Sequence, residues 1–233
     1  MSNYIMTASD FKEKLTLALN SKTLYVMGCF GAPMMARNKT RYTSNYAYNA
    51  TKARKAKIES ASEDTFGFDC VCLVKGILWG WDADQSLVYG GAKYKSNDVP
   101  DVGTDSIIKL CKDVSTDFSH LQNGELLWKK GHVGVVYDAS QGIAIECTPA
   151  WKDGVQLSTI VGAKWGADAC LYHDREWTSH GKLPWINYEE ASPWIWKVQI
   201  GAYRNEANAR AKLQELENAG FTGAFIRKEL AEQ

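Results

Sequence analysis

Apolar and polar positions alternate along this chain in a way that separates helices from strands. Over residues 11–19 the apolar positions are Phe11, Leu15, Leu17 and Leu19, and Ser9 or Asp10 is placed to cap a helix there. The run Leu24-Tyr-Val-Met-Gly28 is short, apolar and closed by glycine, so it reads as a strand or as the entry to a site. Residues 31–65 are polar throughout. Their basic run of Lys52, Arg54, Lys55 and Lys57 reads either as a solvated helix face or as a contact to acidic substrate groups. The pattern turns strongly apolar over residues 66–76, where Asp69 and Cys70 open a helix that runs to about Trp79 and is stopped by Gly80. Residues 82–105 are rich in Gly, Asp and Asn and read as loop. A short amphipathic helix follows near residues 106–112. Strands then appear over residues 125–128, 132–137 and 143–147, with a weaker one near 155–159. Helices followed by an antiparallel meander define an α+β fold.

Around residues 188–193 the composition becomes polar and a proline intervenes, which marks residues 188–194 as a linker. Beyond it, residues 196–200 alternate, Asn205 caps a helix over 206–219 that Gly220 closes, and a last strand spans 221–226. The chain thus reads as a large domain over 1–187 and a single β-α-β unit over 195–233, which is small for an independent core.

Composition narrows the function classes. Of the 233 residues, 45% are apolar and 23% charged, as in a core-forming globular protein, and Lys+Arg and Asp+Glu balance at 27 each. A net charge of zero gives no global attraction to nucleic acid or a membrane surface. Nine Trp and eleven Tyr are many for this length, and such rings line carbohydrate or peptide grooves as well as cores. No apolar run approaches the ~20 residues that span a bilayer. The N-terminus lacks the basic-then-apolar pattern of a secretory signal, so synthesis in the cytoplasm with reduced thiols is expected. The six cysteines, at 29, 70, 72, 111, 147 and 170, then read as buried free thiols.

One of them stands in a chemically special place. A cysteine at a helix start gains thiolate character from the helix terminus, and the thiolate is the nucleophile of a cysteine hydrolase. Such an enzyme also needs a base and a group that orients the base. His132, between Gly131 and Gly134 on a strand, is the best base. Glu146, charged at the end of an apolar strand one hairpin away, is placed to orient it. A depressed Cys70 pKa is expected from the helix terminus and His132. The alternative is a small core cysteine, the ordinary role of a free thiol in an apolar helix. Cys72 fits that role, since it lies roughly 200° further round the helix and the two sulfurs should not share a cleft. Cys70-x-Cys72 with His132 matches no common zinc spacing, so neither a metal nor a cofactor is expected. His120, His173 and His180 lie in polar context and read as surface or structural residues.

These residues resemble a known family. Phe68-Asp69-Cys70-Val71-Cys72-Leu73 is similar to the Phe-Asp-Cys-Ser-Gly-Leu signature of NlpC-type peptidoglycan hydrolases, which are papain-like. Residues 124–128 and Gly131-His132-Val-Gly-Val135 resemble their second motif, and residues 24–28 their Tyr-Val-Trp-Gly-Gly segment. The segments 178–184 and 146–149 resemble phage and prophage endolysins of Gram-positive bacteria. This resemblance spans about residues 5–187. It implies a papain-like domain with helices packed on an antiparallel sheet, Cys70, His132 and Glu146 as the catalytic set, and Tyr25, Asp69 and Trp128 as substrate-binding residues. Val71 and Cys72 depart from the usual Ser-Gly, and Glu146 stands where the family often has His and the related CHAP amidases have Glu. The tail resembles one half of the sporulation-related (SPOR) repeat, which binds septal peptidoglycan glycan. With only one half present, either the chain is incomplete or two copies complete one sheet. The resemblance implies an endolysin, held in the host cytoplasm until lysis, that cuts a peptidoglycan amide bond at the D-isoglutamyl–diamino acid or muramoyl–L-alanine position. Its partners would be the peptide stem and, through the tail, the glycan. The competing reading is an inactive papain-like adaptor on the wall.

Overall fold

The computed structural model describes residues 4–188, 203, 205–219 and 225–226, and the chain divides into two units, Met1–Glu189 and Glu190–Gln233. The strand expected over 196–200, and most of the linker and of the closing strand, lie outside the described residues. In chain order the elements are β1 (Met6–Thr7), α1 (Ala8–Asn20), β2 (Thr23–Tyr25), β3 (Phe30–Pro33), α2 (Ala36–Asn45), α3 (Ala47–Ala50), α4 (Lys52–Ser60), β4 (Phe66–Phe68) and α5 (Cys70–Leu78). There follow α6 (Thr104–Ile107), β5 (Lys112–Ser115), β6 (Leu126–Lys129), β7 (His132–Asp138), β8 (Ile143–Thr148), β9 (Gly154–Ile160), β10 (Asp174–Arg175), β11 (Ser179–Lys182), β12 (Ile186–Asn187) and α7 (Glu206–Asn218).

The large unit is α+β. Its main sheet has seven strands in the order β10-β9-β8-β7-β6-β11-β5. The meander β6–β9 is antiparallel as the alternation indicates, with Leu126 opposite Val135, Val135 opposite Ile145 and Ile145 opposite Leu157. One face of this sheet, through Val133, Val135, Ile145, Cys147 and Val155, joins the core that contains α1 and α5. The other face carries a smaller cluster of Leu127, Val136, Ala144, Ile160 and Trp177. A three-stranded sheet, β2-β4-β3, adjoins the start of α5.

Helix α1 begins two or three residues earlier than the Ser9 or Asp10 cap implies. Thr7 is the cap: its hydroxyl accepts the Asp10 N–H at 3.1 Å while the Asp10 carboxylate accepts the Thr7 N–H at 3.1 Å. Asp10 thus belongs to the first turn as the return half of a capping box. Helix α5 is buried at all nine positions. Gly76 permits this, since a Cβ there would stand 2.7 Å from the Phe30 carbonyl oxygen of β3. Gly80, at φ +94°, ends the segment as expected. In the C-terminal unit, Asn205 caps α7 by accepting the Ala207 N–H at 2.8 Å.

Two expectations change. The basic run on α4 is not simply a solvated face. Arg54 is buried and grips Asp153 with both guanidinium nitrogens at 2.5–2.6 Å, and Lys57 reaches the same carboxylate at 2.6 Å. This ties α4 to the β8–β9 turn. All six cysteines are free, but Cys111 is half-buried and Cys170 exposed. Among the described residues no helix is long and apolar enough to cross a membrane.

His180 is structural and buried. Its Nδ1 lies 2.7 Å from the Glu125 carboxylate and its Nε2 lies 3.0 Å from the Asp117 carbonyl. The Glu125 hydrogen bond raises its pKa above the usual histidine value, against the effect of burial. A raised folded-state pKa contributes stability that is complete below the unfolded value near 6.5 and is lost as pH rises through the folded value. The Tm advantage of wild type over His180→Gln should therefore be larger at pH 6 than at pH 9. A difference that does not change with pH would show that the Glu125 hydrogen bond does not shift the His180 equilibrium.

Candidate active site

The first residue of α5 is set by the one before it. Asp69 caps the helix, one oxygen accepting the Cys72 N–H at 2.7 Å and the other the Gly28 N–H at 2.7 Å. It is 5% exposed and lines the cleft, and its carboxylate joins the helix start to the β2–β3 loop. Burial raises its pKa, against the two backbone N–H groups that stabilise the anion.

Cys70 follows at the helix start, on the wall of a cleft of about 660 Å³ that Tyr25, Gly28, Arg41, Tyr46 and Gly131 also line. The Tyr25 ring stands edge-on to Tyr48 at 6.0 Å. Cys72 lines the same cleft, contrary to the expectation from helical spacing, and is 5% exposed. Trp128 is not among the lining residues. Its indole N–H donates to Asp105 at 3.0 Å, and Asp105 also accepts the Gly131 N–H at 3.0 Å, which fixes the turn that precedes His132.

The backbone amide of Val133 faces the Cys70 sulfur, so the thiol meets β7 one residue from His132. His132 Nε2 lies 2.7 Å from Glu146 Oε2. Glu146 is fully buried and has three further hydrogen bonds. Ser158 Oγ donates to Oε1 at 2.6 Å, Arg175 Nε to Oε1 at 3.0 Å and Arg175 Nη2 to Oε2 at 2.8 Å. Burial alone would raise the Glu146 pKa, but the hydrogen bonds from His132 and Arg175 outweigh it and hold the group below the usual carboxylate range. An ionised carboxylate only accepts, so neutral His132 carries its proton on Nε2 and its lone pair on Nδ1. The Trp177 indole stacks on the imidazole with centroids 5.5 Å apart and 10° between planes. Gly134 makes that possible, since a Cβ there would come within 2.8 Å of the indole. The room that Gly134 leaves beside His132 is therefore filled by Trp177.

Arg175, Ser158 and Trp177 are absent from the sequence reading. Ser158 sits in the weakest of the four strands. Arg175 and Trp177 lie in the polar run His173-Asp-Arg-Glu-Trp177, which has no period and looks like surface.

The Cys70 thiol is not poised as expected. Burial pushes its pKa up to about 12, the Asp69 charge adds to this, and the N–H groups of Val133, Val71 and Cys70 only partly oppose it. At 6% exposure the loss of hydration outweighs the helix terminus. Burial thus favours the protonated thiol over the thiolate. Iodoacetamide at pH 6 should accordingly label exposed Cys170 before Cys70. Peptide mapping that finds Cys70 labelled first would restore a preformed thiolate.

The comparisons with known proteins bear on the other unit. A SPOR domain, a peptidoglycan-binding module, is found at residues 194–230. This agrees with the reading of the tail and gives the chain a wall-binding element. No curated protein matches the chain.

Proposed function

We propose that this protein is an endolysin whose large unit is a papain-like, NlpC-type cysteine hydrolase of peptidoglycan. The observation that carries the reading is the 2.7 Å His132–Glu146 hydrogen bond, in which Nδ1 is left as a base one residue from the amide that faces the Cys70 sulfur. A peptidoglycan-binding SPOR domain on the same chain supports the choice of substrate.

In this mechanism His132 Nδ1 takes the Cys70 proton as the sulfur attacks the amide carbonyl carbon. The resulting imidazolium is stabilised by Glu146. Asp69 takes the Cys72 N–H, and the Cys70 N–H at the helix start is then placed to receive the developing oxyanion. The imidazolium returns its proton to the leaving amine and the C–N bond breaks. Water, deprotonated by His132, attacks the thioester, and Cys70 leaves with the proton. The bond cut is the D-isoglutamyl–diamino acid or the muramoyl–L-alanine amide. The protein is made in the host cytoplasm and reaches the wall at lysis, where the SPOR domain holds it.

The buried, protonated thiol favours one second reading, an inactive papain-like adaptor that only binds the wall. Incubation of the purified protein with cell walls, followed by mass analysis of the soluble fragments, decides between them. New amino termini on stem peptides identify an endopeptidase, and peptide-free glycan identifies the amidase. Walls that release nothing would refute hydrolysis and leave the adaptor.

A further inference from the structure

Two cations line the cleft beside Cys70, and they differ in one respect. Lys75, on α5, is already engaged: its Nζ pairs with Asp101 and donates to the Val102 carbonyl at 2.9 Å. The second oxygen of Asp101 accepts the Tyr94 hydroxyl at 2.8 Å, so this cation and anion neutralise each other. Arg41, on α2, makes no ion pair among the described residues. Its Nη1 donates to the Tyr89 hydroxyl at 2.7 Å, and its guanidinium carbon lies 5.5 Å from the centre of the Tyr89 ring and 5.9 Å from that of Tyr42.

A guanidinium has five N–H donors. Tyr89 takes one, and the others remain for a ligand. The two rings hold the fork in place, so little side-chain freedom is left to lose on binding. The other acid on the cleft wall, Asp69, holds both oxygens on backbone N–H groups and forms no ion pair with Arg41 among the described residues. A planar, positioned cation without an anion, flanked on the cleft wall by Tyr42, Tyr46 and Tyr89, matches a carboxylate in charge and in shape.

We infer that Arg41 is a specificity-determining residue that binds a free carboxylate of the substrate, and that the substrate is therefore an acidic peptide. The identity of that peptide rests on the function proposed above. It is a peptidoglycan stem whose D-glutamyl residue retains its α-carboxylate, as opposed to the carboxamide of an amidated stem. Arg41 lies on the polar insert that precedes the Cys70 motif, so the insert sets substrate preference.

The test uses the full chain carrying Cys70→Ala, so that binding is read without turnover. Two synthetic stem peptides, identical except for carboxylate or carboxamide on the D-glutamyl α-carbon, are titrated calorimetrically. The carboxylate peptide should bind about tenfold or more tightly than the carboxamide. Adding Arg41→Gln should bring the two to within about twofold, and Arg41→Lys should keep part of the preference. Arg41 is exposed, so these variants should fold like the parent. Equal binding of the two peptides, a preference that survives Arg41→Gln, or no binding of either at millimolar concentration would each overturn the inference. Hydrolysis of the same peptides by the Cys70 protein is scored separately. An Arg41-dependent preference without hydrolysis keeps the carboxylate site and refutes the enzyme. Hydrolysis without that preference does the reverse.

Discussion

Cys70→Ala should abolish wall hydrolysis, with kcat falling on the order of 10⁴-fold or more, while the fold survives. At 1.36 kcal/mol per decade this is a loss of roughly 5 kcal/mol or more of transition-state stabilisation, because no other group supplies the covalent bond. The structural cost is of a different size. Cys70 is buried, so removing its sulfur leaves a small void, at about 1 kcal/mol and a few degrees of Tm. Helix α5 keeps its start, since the cap is Asp69 and its bonds to Cys72 and Gly28 do not involve the sulfur. Cys72→Ala is the control. Its side chain also lines the cleft, whereas the amide beside His132 acts on the Cys70 sulfur. Full lysis by Cys70→Ala, or loss of lysis in Cys72→Ala alone, would remove Cys70 from the role of nucleophile.

What the sequence made legible follows from where the determinants lie. Helix α5 can be read because Asp69, an apolar run and Gly80 are all local signals of a cap, a buried face and a stop. The hairpins of β6–β9 can be read because alternation and short turns are local too. His132 and Glu146 fall on neighbouring strands of that meander, which is why hairpin reasoning brings them within reach. Strand β11 could not be placed, because it inserts between β6 and β5 from some fifty residues further along the chain. Arg175 is hidden for the same reason, since its contact with Glu146 comes from a strand two positions away in the sheet. The thiol pKa failed differently. The helix terminus is visible in sequence, but the burial that outweighs it is a property of the packed molecule.

Glu146→Gln should lower kcat by roughly 10²–10⁴-fold and, unlike the nucleophile variant, should also destabilise the protein substantially. In the proposed mechanism the catalytic part arises because the carboxylate stabilises the imidazolium formed during attack, whereas an amide carries no charge to do so. The structural part arises from Arg175. Its guanidinium is committed through Nε and Nη2 to the Glu146 carboxylate, and the acid is fully buried. Removing one partner of such a pair leaves a poorly compensated charge, at about 3–5 kcal/mol. Activity lost in the single variant could therefore reflect unfolding. The double variant Glu146→Gln/Arg175→Met separates the two effects, since removing both charges is far less costly than removing one. Its Tm should recover most of the way to wild type while kcat stays low. Recovery of kcat together with Tm would mean that Glu146 serves only to neutralise Arg175, and that another group, or none, orients His132.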